Sequence, residues 1–206
     1  MKKLSVILIF AGLMIFCFEG VEARDYVELV GGLNRNNFAF DISRSGETIL
    51  DGSDVINDLK SGPGIYLGGR YWVNEKSGLE LGLDMASSFN EVNEYSSDTV
   101  FLGGGYGSYV YKAQDNLNLK IGAARYIYEY MPYSYDNQLG DGFGLLLDGE
   151  IYSRHNFVTL KGNLGYRFSE IDVTQVEGED GYVDIEEDIS INMSGLRLGV
   201  GISVVF

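Results

Sequence analysis

The chain has 206 residues, which is enough for one domain with a sizeable core. It carries 30 Asp and Glu against 15 Lys and Arg, a formal net charge of -15, which argues against nucleic acid as a partner. Disorder is excluded by 45% hydrophobic and 13% aromatic residues. The 28 glycines and 15 tyrosines favour close-packed strands, while one histidine and one cysteine leave little for metal or triad chemistry.

Residues 1–23 have the pattern of a Sec signal peptide. Two lysines precede an apolar run, Leu4 to Phe18, and Ala23 is a small residue just before the expected cleavage point. The apolar run is shorter than a transmembrane helix requires. Cys17 follows a bulky phenylalanine, so lipoprotein processing is not expected. We therefore predict an exported protein whose single folded domain is 24–206, free of cysteine after cleavage.

Eight segments of alternating apolar and polar residues follow, which predicts eight β-strands. These segments lie near 27–33, 65–73, 79–86, 100–111, 117–123, 143–151, 158–168 and 196–206. Short polar turns and longer connections alternate strictly between them. The short turns are at 74–77, 112–116 and 153–156, and the longer connections are at about 34–61, 87–98, 131–141 and 170–188. An up-and-down meander then has all its long loops at one end, which is typical of outer-membrane barrels with short periplasmic turns and four longer extracellular loops.

The two faces of these strands carry different chemistry. One face is apolar across nearly every strand, whereas the other carries five acids and five bases. In a narrow barrel lumen such charges are desolvated and must pair with one another. The predicted lumen charge network consists of Glu28, Arg70, Glu80, Asp84, Lys120, Asp148, Glu150, Lys161, Arg167 and Arg197. Glycines at 32, 68, 82, 144, 199 and 201 would leave room for the long side chains. A lipocalin-like or sandwich protein with its apolar face inward remains the alternative.

For two of the predicted strands, the sequence does not show which face is turned toward lipid and which toward the lumen. Either parity of the glycine-rich run 102–107 could face lipid. In the fifth segment, the apolar phase of Leu119 and Ile121 would turn Arg125 outward, while the tyrosines at 126, 128 and 130 follow the opposite phase. A β-bulge near Ala123 and Ala124 would reconcile the two phases. Alternatively, the strand leaves the hydrocarbon there and its tyrosines join the interfacial aromatic belt.

The acidity of the chain lies in its longer connections. In chain order they carry net charges of -2, -3, -2 and -9, and the last holds nine acids with no cation. The run is not an EF-hand, because Val176 and Gly178 occupy the first and third ligand positions. A solvated acidic surface is the plainer interpretation. Weak divalent-cation binding is the alternative, with cations bridging the loop to lipopolysaccharide phosphates. The candidate ligands are Glu177, Glu179, Asp180, Glu186 and Glu187.

The C-terminal segment resembles the signature that ends bacterial outer-membrane barrels. Leu198, Val200 and Ile202 alternate toward a terminal Phe206, although Val204 stands where an aromatic residue is common. With the signal peptide and eight strands, the whole of 24–206 resembles the small outer-membrane β-barrel superfamily of OmpX, the OmpA transmembrane domain and OmpW-like proteins. The resemblance implies an outer-membrane location, lipid and lipopolysaccharide as surroundings, and Phe206 as the assembly signal read by the barrel-assembly machinery.

The sequence offers no catalytic constellation, so we predict a protein that is not an enzyme and has no cofactor. Some barrels of the resembling superfamily modify lipid A with a histidine near the outer rim, but His155 falls in a short periplasmic turn. The predicted role is membrane stabilisation or surface interaction through the acidic extracellular loops. A narrow channel for ions or small apolar solutes is the second hypothesis, with Tyr66, Trp72 and Leu146 as lining. A lipid-modifying enzyme is the third.

Overall fold

The computed structural model describes residues 27–38, 41–44, 47–50, 61–93, 96–131, 137–155, 158–178 and 181–206. These residues form eleven strands. They are β1 (Val27–Phe38), β2 (Asp41–Arg44), β3 (Glu47–Leu50), β4 (Ser61–Trp72), β5 (Ser77–Asn93), β6 (Ser96–Gln114), β7 (Leu117–Met131), β8 (Gln138–His155), β9 (Val158–Gly178), β10 (Gly181–Asn192) and β11 (Gly195–Val205). No helix within the described ranges is long and apolar enough to cross a membrane. The signal peptide at 1–23 lies outside the described residues and stays a prediction.

Eight of the described strands close into an antiparallel ring. Each pairs with the next in the order β1, β4, β5, β6, β7, β8, β9 and β11, and β11 returns to pair with β1 from Glu28↔Val205 to Phe38↔Gly195. The predicted eight-stranded up-and-down barrel is therefore confirmed. Ring closure leaves these eight strands without a free edge, so their backbone groups need no partner from lipid.

The remaining three strands extend the barrel at the end opposite the short turns. β10 pairs with the outer half of β9, β2 pairs with β10, and β3 pairs with β2. Many residues predicted as long connections are therefore paired strand: β5 and β6 stay paired out to Asn93↔Ser96, and β9 and β10 out to Gly178↔Gly181. The apolar alternation stops where the strands leave the lipid, but the backbone pairing continues. The sequence pattern thus marks the membrane boundary rather than the strand ends.

The outside of the ring is an apolar belt. Its large side chains are 38–68% exposed and alternate with inward-facing neighbours. They include Leu29, Leu33, Ile65, Leu67, Leu79, Leu83, Met85, Leu119, Ile121, Phe143, Leu145, Leu147, Leu160, Leu164, Leu198, Val200 and Ile202. So large a continuous apolar exterior requires lipid around it. A lipocalin-like or sandwich arrangement with the apolar face inward is therefore wrong for this chain.

The register of β6 and β7 resolves the two ambiguous strands. Their pairing runs without a shift from Thr99↔Met131 to Lys112↔Asn118, and β7 also pairs continuously with β8. The predicted bulge near Ala123 and Ala124 is therefore wrong. The alternative placement of the tyrosines in the interfacial belt is wrong too, because Tyr126 and Tyr128 point into the lumen and are fully buried. In the glycine-rich run, Leu102 and Tyr106 face inward, so the odd-numbered glycines face lipid.

A single phase for β7 places Arg125 on the lipid-facing side. Its guanidinium Nη2 donates to Asp141 Oδ2 at 2.6 Å, and it lies 5.7 Å from the ring of Phe143. Among the outward-facing residues that follow it on β7, Ile127 is still apolar and exposed and Glu129 is charged, so Arg125 lies near the outer edge of the belt. A charge is tolerated there because the side chain can reach the polar interface and has an anionic partner.

Candidate functional site

The structure places all ten predicted network residues on the inward-facing side of the barrel wall. Eight of them are buried, and only Glu28 and Lys120 are partly exposed. Each of the five bases lies within 3.7 Å of at least one of the five acids. The strands bring these residues together from every part of the ring. The charges sort into two groups along the barrel axis, one nearer the short turns and one nearer the extension.

The group nearer the short turns is built around Arg70. Its register neighbours are Glu28 on β1 and Glu80 on β5, while Glu150 reaches it from the far side of the lumen. Arg70 Nε and Nη2 donate to Glu80 Oε2 at 2.8 and 2.6 Å, and Nη1 and Nη2 donate to the two oxygens of Glu150, both at 2.9 Å. Glu28 lies 3.7 Å away. One guanidinium thus uses its fork of donors on two buried carboxylates.

Two lysines complete this group. Lys120 Nζ donates to Glu80 at 3.1 Å, and Lys161 Nζ lies 3.3 Å from Glu28 and 3.4 Å from Glu150. Neutral side chains add further donors: the Tyr106 hydroxyl to Glu80, Asn118 to Glu150 and the Trp72 indole to Glu28, at 2.8–2.9 Å. Glu28, Arg70, Glu80, Lys120, Glu150 and Lys161 form what we call the lower cluster. With three acids and three bases it carries no net charge.

The upper cluster consists of Asp84, Asp148, Arg167 and Arg197. Asp84 accepts hydrogen bonds from Arg167, from Arg197 at 3.0 Å and from the Tyr126 hydroxyl at 3.1 Å. Arg197 also lies 3.7 Å from Asp148. Two acids and two bases again cancel. Because burial of an unpaired charge is expensive, this internal neutrality is what allows either cluster to lie inside a membrane-embedded barrel.

Glycines at inward positions make the space for these side chains. A Cβ on Gly201 would collide with the Tyr66 hydroxyl, and one on Gly199 would lie 2.7 Å from Asn163 Oδ1. Gly165 was not singled out from the sequence, although its parity on β9 is inward. A Cβ there would fall on the Asp148 carboxylate and lie 2.6 Å from the Leu147 carbonyl oxygen. Large and small residues thus alternate around the lumen so that the clusters fit.

The two clusters lie between a polar vestibule and an apolar core. A cavity of about 160 Å³ opens at the short-turn end, lined in part by Trp72, Lys112 and Tyr152. At the other end, above the upper cluster, buried apolar residues fill the lumen. They include Phe38, Val100, Leu102, Tyr128, Ile171, Ile191 and Met193. Of the lining predicted for a channel, Tyr66 and Leu146 are buried in the lumen and Trp72 lies in the vestibule.

The predicted cation ligands are spread along the β9–β10 hairpin. Glu177 is exposed near the end of β9, Glu179 and Asp180 lie outside the described residues, and Glu186 and Glu187 are on β10 with side chains outside the description. The backbone of 185–188 bulges opposite a single β9 residue. Within the described part of the chain, no group of three or more His, Cys, Asp or Glu side chains could hold a metal ion.

The two charge clusters can fill the lumen and hold the barrel rigid. Separately, the exposed acids of the β9–β10 hairpin can bind cations. His155 ends β8 at the short-turn end and is exposed, as expected for a turn residue. A closed eight-stranded barrel with an apolar exterior and a polar, glycine-containing lumen defines a small integral β-barrel of the bacterial outer membrane. The predicted fold class and location are thereby confirmed.

Comparison with known proteins supports this class. No family model matches the chain, and no curated protein matches its sequence. Among solved structures, OprG from Pseudomonas aeruginosa is similar over 89% of this chain and 97% of its own, at 10% identity and a TM-score of 0.54. Ail of Yersinia pestis, solved with the heparin analogue sucrose octasulfate, covers 88% of this chain and 99% of its own at 11% identity and a TM-score of 0.49.

Neisserial surface protein A, NspA, is similar over 87% of this chain and 97% of its own, at 15% identity and a TM-score of 0.49. At such low identities the likeness concerns the fold alone. The role of this chain has to be inferred from its own residues.

Proposed function

We propose that this protein is a non-conducting, non-enzymatic outer-membrane barrel that stabilises the membrane and meets its surroundings through the acidic extension. The observation that carries the proposal is the burial of the lumen charges. Arg70, Glu80, Asp84 and Arg167 are at most 1% exposed, so bulk water does not touch the middle of the lumen. An ion would have to displace a paired charge in order to pass, at a cost of several kcal/mol.

Because the lumen is closed, we assign contact with the surroundings to the outer surface. On the described part of the extension, Glu170, Asp172, Glu177 and Asp184 are all exposed, and no base lies between Arg167 and Arg197 in the sequence. Lipopolysaccharide phosphates and these carboxylates repel one another unless cations lie between them. Divalent cations that bridge the two are therefore the proposed means of contact.

Single-channel recording in planar bilayers tests the closed lumen. Purified protein should insert without stepwise current at either polarity, while a known porin in the same lipid serves as the positive control. We expect no current because the ion pairs of the two neutral clusters fill the lumen. Reproducible current steps that scale with inserted protein would contradict the proposal and support the narrow channel instead.

Limited proteolysis tests the surface contact. Trypsin has no site between Arg167 and Arg197, and the variant described below would remove the sites of an acid-specific protease. Chymotrypsin, which cuts after aromatic residues and has Tyr182 within 170–188, is therefore the suitable protease. In vesicles containing lipopolysaccharide, millimolar magnesium should slow cleavage within 170–188 and a chelator should restore it. Protection should be lost when the five candidate ligands at 177, 179, 180, 186 and 187 are neutralised together.

The matched control neutralises Glu91, Glu94 and Asp98, the three acids of the sequence range 87–98, which removes acids without changing the β9–β10 hairpin. That variant should keep the magnesium effect. Equal cleavage with and without chelator in the unmodified protein would leave the acidic hairpin with a repulsive or solubilising role and would remove the cation bridge.

A further inference from the structure

A small void separates the lower and upper clusters. It measures about 10 Å³, and its lining includes Tyr106 and Lys120 from the lower side and Leu146, Asp148, Asn163 and Arg197 from the upper side. A volume of roughly 10–15 Å³ is what one water molecule needs. The void therefore has room for a ligand of a single heavy atom and for nothing larger.

Three polar atoms in the lining residues have no hydrogen-bonding partner among the described residues. They are Asp148 Oδ1, Asn163 Oδ1 and Arg197 Nε, and each residue is at least nine-tenths buried. Unpartnered buried polar atoms are rare in folded proteins, and ordered water is a common partner for them. These three atoms belong to residues that line one void, and together they offer a ligand two acceptors and one donor.

The charges around the void decide between possible ligands. An anion would be repelled by the Asp148 carboxylate, and a cation would be repelled by Arg197 and by Lys120, whose Nζ is already bonded to Glu80. A neutral ligand that both donates and accepts fits all of these groups. We propose that the void is a binding site for one water molecule, which donates to Asp148 and Asn163 and accepts from Arg197.

This water would join the two clusters into one hydrogen-bonded column. Lys120 and Tyr106 belong to the lower cluster or donate to it, whereas Asp148 and Arg197 belong to the upper cluster. The column would then run from the vestibule to Asp84 and end at the apolar core. The inference goes beyond the proposed function, because a buried water can be present whether or not the barrel conducts.

X-ray radiolytic labelling of the folded protein in lipid nanodiscs tests the site, since bound water yields hydroxyl radicals beside it. Leu146 and Leu102 both belong to the buried apolar core and are at most 2% exposed, but of the two it is Leu146 that lines the void. Mass spectrometry should find Leu146 oxidised several-fold faster than Leu102. In the variant Asn163→Leu, which fills the void and removes an acceptor, the rate at Leu146 should fall to that of Leu102.

Heat-modifiable gel mobility shows whether Asn163→Leu still folds, and a crystal structure of the unmodified protein provides a readout independent of that variant. Electron density for one water between Asp148 and Asn163 would support the site. Equal oxidation of Leu146 and Leu102, or a well-resolved map with no peak between those two side chains, would overturn it. Bilayer recordings are unaffected by either result, so the proposed function stands or falls separately.

Discussion

Replacing Arg70 should destabilise the barrel far more than replacing Arg125. Both arginines have a carboxylate oxygen at 2.6 Å, but the Arg70 side chain is 1% exposed whereas that of Arg125 is 65% exposed. In Arg70→Met, Glu80 and Glu150 lose the guanidinium that both accept from, and each keeps one lysine as its cationic partner, Lys120 and Lys161 respectively. Removal of one partner from a buried ion pair costs about 3–5 kcal/mol. An exposed pair is worth about 0–1 kcal/mol, so Arg125→Met is the matched control.

Equilibrium unfolding in urea, with the protein in lipid vesicles, measures the difference. The fraction folded follows from heat-modifiable gel mobility, and Trp72, the one tryptophan of the chain, gives an independent fluorescence signal. The two variants should differ by about 2–5 kcal/mol in the free energy of unfolding, at an unchanged urea dependence. Equal losses in Arg70→Met and Arg125→Met would refute the claim that stranded buried charge dominates.

A double variant separates charge from lost packing. If Arg70→Met is destabilising because Glu150 is left charged, then adding Glu150→Gln should recover part of the loss. If the cause is a cavity, the second change should add its own cost instead. Residues in direct contact show coupling energies of about 0.5–3 kcal/mol, which this cycle can resolve. Absence of any rescue would assign the effect to packing around the guanidinium.

Two further predictions concern assembly and space. Deletion of Phe206, whose backbone N–H donates to the Val27 carbonyl at 3.0 Å, should lower outer-membrane yield and leave protease-sensitive periplasmic chain, measured by cell fractionation. If the deletion variant is recovered from the membrane in unchanged amount and still shows heat-modifiable mobility, the hypothesis that Phe206 is the assembly signal is contradicted. Gly165→Ala should destabilise the barrel in urea because its Cβ would meet Asp148 and the neighbouring backbone, whereas Gly69→Ala, with no atom within 4 Å, should be tolerated. Similar midpoints for both would contradict the steric argument.

Much of the fold was predictable because lipid forces a simple rule on the chain. Alternation of apolar and polar residues indicates which side of each strand faces lipid, and the order of short and long connections indicates topology. The alternation rule holds only where one face of a strand lies in the hydrocarbon, and it fails elsewhere. Arg125 obeys the alternation but carries a charge at the membrane edge, which made the phase of β7 ambiguous. Beyond the membrane edge both faces of a strand can be polar, so the alternation could not predict how far β5 and β9 extend.

The lumen network was predictable in membership but not in arrangement. A count of five acids and five bases on one face predicts mutual neutralisation, and all ten do meet partners. Their division into two neutral clusters depends on how the closed ring staggers its strands. Arg70 and Glu150, 80 residues apart, meet only because the barrel brings opposite walls within reach. Pairing across a lumen leaves no trace in local sequence spacing.

The lumen charges also explain why the barrel has one orientation and one register. Side chains alternate with a period of two, so a slip of one residue would turn a whole strand inside out. For β4, the slip would move Arg70 into lipid, where an arginine costs about 2–4 kcal/mol at the bilayer midplane, and would put Leu67 against the ion pairs. Five of the eight ring strands, β4, β5, β8, β9 and β11, carry at least one inward charge that is buried. An apolar lumen would carry no such penalty, so the buried charges, whatever they add to stability, select the correct pairing against its alternatives.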